Sequence, residues 1–181
     1  MVPKGWTRVK IKDLVDIQYG KSANGLFVAN GPYPIVGTGG VIGYTKNVLS
    51  HGPAVVIERK GTIDKPQFIS TPFWAIDTTF YCTPKDLCDI HWFFYATKSI
   101  AFKRYGEASG VPSLSRASIG QIALYVPGLR EQKKIAKVLM ASDALIEAQR
   151  KTLSNMESER AALMQQLLTG KRRVKLDAAT Q

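Results

Sequence analysis

The chain has 181 residues, 45% of them hydrophobic, enough for one globular domain with an appendage and too apolar for a disordered polymer. No apolar stretch approaches the ~20 residues of a membrane span. The N-terminus, MVPKGWTRVK, has no apolar leader, so a cytoplasmic protein is expected. The formal net charge of +11 makes nucleic acid or an acidic membrane the first partners to weigh.

Read in order, Thr7–Ile11 has the makings of a short strand, with Asp13 as cap of a brief helical turn. A glycine-containing loop, Gln18 to Gly25, comes next. Tyr33–Val36 and Val41–Tyr44 read as strands on either side of Gly37-Thr38-Gly39-Gly40, and Ala54–Ile57 as an apolar strand running into Arg59-Lys60-Gly61. Phe73–Cys82 is rich in β-branched and aromatic residues and predicts one further strand. Asp89–Tyr105 turns helical, Gly106–Pro112 is a loop, Ser115–Gln121 a helical turn and Ile122–Val126 a last strand. Strands mixed with a few helices, without regular βαβ alternation, predict an α+β domain.

Punctuation changes at Pro127-Gly128, after which neither Gly nor Pro recurs until Gly170. Steps of four and three from Ile135 meet Leu139, Ser142, Ile146, Gln149, Leu153, Met156, Arg160, Leu163 and Leu167. Most of these are apolar, the 3.5-residue repeat of a coiled-coil seam. A helix over Glu131–Thr169 is therefore predicted, with Ile135, Leu139, Ile146, Leu153, Met156, Leu163 and Leu167 available for dimerisation. Val138 and Leu145 widen the stripe where the helix is expected to pack on its own domain. Gly170 and Lys171-Arg172-Arg173 supply a stop and positive charge at the carbonyl end. The organisation expected is a globular domain at 1–127, a long helix at 128–173 that needs a partner helix, and a flexible tail at 174–181.

The chemistry-bearing patterns are sparse. Cys82 and Cys88, with only His51 and His91 beside them, match no common zinc spacing and read as two reduced thiols. Gly37–Gly43 lacks the G-K-[ST] ending of a phosphate loop and opens no clear helix, so nucleotide binding is not expected. No catalytic carboxylate–lysine cluster or nucleophile–His pair stands out. No enzyme activity, cofactor or metal is expected.

Several segments together resemble the DNA-specificity subunits of type I restriction–modification systems. Pro127-Gly128-Leu129-Arg130-Glu131-Gln132-Lys133-Lys134-Ile135-Ala136 is similar to the P-P-L-x-E-Q-x-x-I-A start of the long helix in that family. Ser142-Asp143-Ala144-Leu145-Ile146 and Leu167-Leu168-Thr169-Gly170-Lys171-Arg172 resemble its centre and its close. Tyr33-Pro34-Ile35-Val36-Gly37, Gly39-Gly40-Val41-Ile42-Gly43, Arg59-Lys60-Gly61-Thr62-Ile63, Phe73-Trp74-Ala75-Ile76-Asp77-Thr78 and Val111-Pro112-Ser113-Leu114 extend the likeness in order. Two departures accompany it: one recognition domain and one helix where the family has two of each, and Gly128 where a second Pro is usual.

The resemblance implies a half-length subunit that pairs through antiparallel helices as a homodimer and reads a gapped site in double-stranded DNA. It also implies that methyltransferase (modification) subunits, and a restriction subunit where the system restricts, dock on it to do the chemistry. Candidate DNA contacts are Lys21, Ser22 and Asn24 in the first loop, Thr38 and Lys46 around the second, then Arg59, Lys60, Lys103, Arg104 and Ser109. Lys and Arg beside glycine suit phosphate contact, because the absent side chain lets backbone N–H groups approach. Lys46, Lys103 and Arg104 also read as ordinary solvated charges, and Arg59-Lys60-Gly61 as backbone grip or fold maintenance. Trp74 and Trp92 read as core aromatics. Two other readings stay open: a DNA-binding coiled-coil protein without sequence discrimination, and a scaffold or decoy for modification subunits.

Overall fold

The computed structural model describes residues 2–60, 63–106 and 113–174. It separates into two compact units, Met1–Lys137 and Val138–Gln181. The first unit begins with β1 (Thr7–Lys10), α1 (Ile11–Leu14) and β2 (Val15–Tyr19). Next come β3 (Tyr33–Gly37), β4 (Gly40–Thr45), β5 (Ala54–Glu58), β6 (Gln67–Ile69), β7 (Trp74–Ala75) and β8 (Thr79–Pro84). It closes with α2 (Ile90–Lys98), a 3-10 turn at Phe102–Tyr105, α3 (Arg116–Gln121) and β9 (Ala123–Val126). The last helix, α4 (Leu129–Leu168), is 40 residues long and begins in the first unit. Short strands in three small sheets with few helices make this an α+β fold, as the irregular alternation predicts.

The central sheet runs β2-β8-β5-β6, every neighbour antiparallel, with Val55 opposite Cys82 and Ile17 opposite Cys82 from the other side. β5 is Ala-Val-Val-Ile-Glu and buried along its whole length, as a strand covered on both faces must be. A three-stranded sheet, β4-β3-β7, pairs β3 antiparallel with β4 and parallel with β7. β1 pairs antiparallel with β9, Thr7 opposite Val126.

The larger core gathers Ile11, Leu14, Ile57, Phe80, Phe93, Phe102 and Ile119 with their neighbours. A smaller one holds Val36, Val56, Phe73 and Tyr81. Trp92 lies in the larger core, whereas Trp74 is half-buried.

Several local expectations need correction. The segment 73–82 is two strands, because a turn interrupts the apolar run: Thr79 donates its N–H and its hydroxyl to the Ile76 carbonyl oxygen, at 3.0 and 2.7 Å. Asp13 does not cap α1; the cap position is Lys10, which makes no side-chain capping bond, and Asp13 sits inside the first turn. The helix begun by Asp89, whose carboxylate accepts from Trp92 N–H at 2.9 Å, stops at Lys98. There the Ser99 hydroxyl donates to the Ala96 carbonyl oxygen, and the chain tightens into the 3-10 turn. β2 and β6 were not foreseen.

The base of α4 is anchored by Gln132 and by its neighbours on the same face. Gln132 is buried; its Oε1 accepts from Asp89 N–H at 2.8 Å, and its Nε2 donates to the Leu87 and Pro127 carbonyl oxygens at 3.0 and 2.9 Å. Ala136 is buried beside it, and Ile135 packs on the larger core. Trp6 Nε1 donates to Glu131 at 3.3 Å. Val138 and Leu145, expected to pack on the domain, are instead 65% and 60% exposed, because the buried helical face ends at Ala136.

Candidate nucleic-acid interface

The turn Ile76–Thr79, between β7 and β8, is the hub of the site. Gly20, at the end of β2, donates its N–H to the Thr79 carbonyl oxygen at 3.0 Å. A Cβ at Gly20 would collide with the Ile76 carbonyl, so only glycine lets the first loop begin here. Lys21 N–H donates to the Ala75 carbonyl oxygen at 2.9 Å, and Trp74 Nε1 donates to the Lys21 carbonyl oxygen at 3.0 Å. The half-buried Trp74 thus anchors the backbone of Lys21 and leaves its ammonium in solvent. Beyond it Asn24 N–H is 3.3 Å from Ser22 Oγ, and the ring of Phe27 lies against Gly43.

The second loop reaches the same hub. Ile76 N–H donates to the Val36 carbonyl oxygen at 3.0 Å, and Gly37 lies against the Ile76 side chain. Glu58, at the buried end of β5, accepts from Gly39 N–H at 2.7 Å, while Gln67 Nε2 donates to the Gly37 carbonyl oxygen at 3.0 Å. Held from both sides, the tip presents Thr38 to solvent.

Arg59 follows Glu58 directly. Its N–H donates to the Thr78 carbonyl oxygen at 2.8 Å, and its guanidinium carbon lies 5.7 Å from the centre of the Tyr19 ring. Tyr19 is 47% exposed and rests on Phe80, with ring centroids 5.0 Å apart. An Arg placed over an aromatic face keeps its charge and its donors while losing conformational freedom. Lys60 is exposed and bridges to Ser113, and Leu114 N–H donates to the Arg59 carbonyl oxygen at 2.9 Å.

Lys21, Thr38 and Arg59 therefore project from three loops tied to one turn, with Ser22, Asn24 and Lys60 on the same loops. Lys46 stands apart: it follows Thr45, which pairs with Tyr33 at the far end of the β3–β4 ladder, about 13 Å from the tip at ~3.3 Å per residue. Lys103 is engaged by Asp64, whose carboxylate receives both its N–H at 3.2 Å and its ammonium at 3.3 Å. Arg104 is exposed beside it. Ser109 lies outside the described residues, as do Gly61, Thr62 and most of the Gly106–Pro112 loop.

Tyr19, Glu58 and Gln67 were missed as contributors. Alternation in Val15-Asp16-Ile17-Gln18-Tyr19 carried a signal for Tyr19, and an acidic residue closing an apolar strand carried one for Glu58. Gln67 gave none.

Both cysteines are buried, Cys82 in β8 and Cys88 in the loop before α2. Burial pushes the Cys88 thiol up to about 12, with the neighbouring Asp89 adding to the rise, and raises Cys82 further. Among the described residues no group of His, Cys, Asp and Glu is placed to hold a metal ion, and no helix is long and apolar enough to cross a membrane.

A fold of this kind, with basic loops gathered at one turn and a long helix after them, has known counterparts. The chain belongs to the family of the type I restriction modification DNA specificity domain, whose model matches residues 3–157. The MjaVIII type I restriction enzyme specificity subunit of Methanocaldococcus jannaschii is 28% identical over 210 residues, covering 96% of this chain and 48% of that one. The EcoprrI specificity subunit of Escherichia coli is 26% identical over 114 residues, 62% of this chain and 28% of its own. Among solved structures, the type I restriction–modification S subunit of M. genitalium superposes with a TM-score of 0.73 at 16% identity, covering 91% of this chain and 46% of that chain. The HsdS subunit of Thermoanaerobacter tengcongensis does so with a TM-score of 0.65 at 16% identity, over 93% and 45%. The chain thus spans about half, or less, of the length of these relatives.

Proposed function

We propose that the chain is a non-catalytic, cytoplasmic DNA-recognition subunit, reading duplex DNA through the loops at residues 20–25, 37–40 and 58–60. The observation that carries this is the tethering of Lys21, Thr38 and Arg59 to the single Ile76–Thr79 turn. Loops fixed against one another hold their side chains in register with a rigid duplex, and the cations supply phosphate affinity while polar groups meet base edges. Lys46 and Arg104 are outlying phosphate contacts, Lys103 is a weaker one because Asp64 holds it, and Ser109 is a further candidate contact.

The second part of the proposal concerns α4. Leu139, Ile146, Leu153, Met156, Leu163 and Leu167 are all exposed along its seam. About 60 Å of helix, at 1.5 Å per residue, would set two recognition units a fixed distance apart when paired antiparallel with a second copy. Ile135 continues that seam on its domain-proximal side. The paired subunit positions methyltransferase subunits, and a restriction subunit where the system has one, over a gapped site.

The test is co-expression with a type I modification subunit from the same source, in a host lacking DNA methylation, followed by mapping of modified bases. A gapped inverted-repeat motif that vanishes without this chain is the expected result. A gapped asymmetric motif would keep recognition and replace the homodimer with a different second half. No motif, despite a demonstrated complex with the modification subunit, would overturn the reading in favour of a scaffold or decoy.

A further inference from the structure

Where β2, α1 and α3 meet, a groove of about 520 Å³ is lined by Lys12, Asp16, Tyr19, Lys85, Arg116 and Gln121, among others. Its charges do not cancel. Lys85 Nζ lies 3.3 Å from the Asp16 carboxylate and donates to the Lys12 carbonyl oxygen at 2.7 Å, so the lining carboxylate is already matched. Lys12 and Arg116 are both exposed, with no carboxylate partner among the described residues.

The fold brings these two cations together for a definite reason. Ser115 and Ser118 form a reciprocal cap, each backbone N–H donating to the other's hydroxyl at 3.0 Å, and this fixes the turn that opens with Arg116. Gly120 lies four residues on and shares the face of Arg116. A Cβ at Gly120 would meet Lys12 Cβ at 3.3 Å and Ile17 Cδ1 at 3.8 Å. The missing side chain lets α3 settle against α1, leaving Arg116 one helical turn from Lys12. The groove also includes Tyr19, the ring beneath Arg59, so it is continuous with the recognition loops.

We infer that this groove grips the phosphodiester backbone of the same DNA duplex through Lys12 and Arg116, an inference that rests on the DNA-recognition reading above. Backbone contacts orient a protein on the duplex and add affinity without reading sequence. The groove therefore sets how the recognition loops are laid on their site, and leaves discrimination to Lys21, Thr38 and Arg59. Lys85 is already committed to Asp16 and contributes little.

The experiment uses the full chain with its modification subunit, as wild type and as Lys12→Gln with Arg116→Gln. Binding is measured between about 50 and 200 mM salt to a duplex carrying the motif mapped above and to a random duplex of equal length. Two lost phosphate contacts should make the slope of log affinity against log salt shallower by about 1.8 on both duplexes. The ratio of the two affinities should stay the same, as should the thermal melt. An unchanged slope, with the wild type still preferring its motif, would overturn the groove and leave recognition standing. A lost preference at unchanged slope would also overturn it, since the groove would then be reading bases. A wild type with no preference would sink the recognition reading, and a shallower slope in its variant would still support the grip.

Discussion

In residues 2–137 the large apolar side chains Phe73, Phe80, Phe93 and Phe102 are fully buried; from Val138 onward Leu145, Leu153, Met156 and Leu163 are all exposed. The two regions use similar residue types in opposite ways. Period-two strands close on each other within one chain, so each buried residue of the first unit finds its cover locally. A 3.5-residue stripe on one helix has no such neighbour, and burying it needs a surface of matching length. The first unit buries its own core, whereas the second leaves apolar surface exposed; the proposed partner helix would remove it from water at about 25 cal/mol per Å². The proposed recognition and spacing roles thus fall on regions with different physical requirements.

The strongest attempt to break this contrast is Leu153→Asp. A twofold pair would bury two carboxylates at the seam, so dimerisation should weaken by about a thousandfold, read by sedimentation, while the first unit melts as before. A dimer that survives would remove the seam. Next in size is Gln132→Ala, which leaves Asp89 N–H and the Leu87 and Pro127 carbonyls without their partner. Denaturant unfolding of the first unit should lose about 3 kcal/mol, with the dimer constant little changed at protein concentrations that keep it folded.

High pH sharpens the contrast in another way. Cys88 binds its proton more tightly folded, at about 12, than unfolded, at 9.0. Its contribution is therefore intact below pH 9.0 and is lost as pH climbs toward 12, amounting to about 2 kcal/mol by roughly pH 10.5. Cys88→Ala should about halve the slope of that part of the unfolding profile, since Cys82, raised further, keeps its own share, and the seam, which holds no cysteine, should be indifferent to it. The smallest expected effect is Tyr19→Ala: losing the ring under Arg59 should weaken DNA binding about threefold, with Tyr19→Phe restoring it. A larger loss that Phe does not rescue would assign the phenol oxygen a contact of its own.

What the sequence made legible follows the range of the interactions. Local signals survived: α4, the apolar β5 and the start of α2 near Asp89 could be read because each depends on residues a few places apart. The glycine loops were legible as turns, but their convergence was not. The hydrogen bond from Gly39 to Glu58 and the ring of Tyr19 under Arg59 join residues separated by 19 and 40 positions; the first links two sheets, and the second depends on β8 pairing with both β2 and β5. β6 is three residues long, too short to show a period. The Ile76–Thr79 turn escaped because β-branched and aromatic residues flank it on both sides, although the whole site is built upon it.

Pairing of β1 with β9 has an evolutionary consequence. Thr7 and Val126 are partners across one ladder, so the chain enters and leaves the globular unit at the same place. A unit with adjoining entry and exit is a cassette: the coding segment between those strands can be exchanged for a homologous one without re-routing the backbone on either side. Recombination at two short stretches, one before β1 and one at Pro127-Gly128, would replace the proposed recognition surface wholesale while keeping the sequence of α4. On the proposed reading, one genetic event would then change the target, provided the incoming unit still seats Gln132 and Ile135.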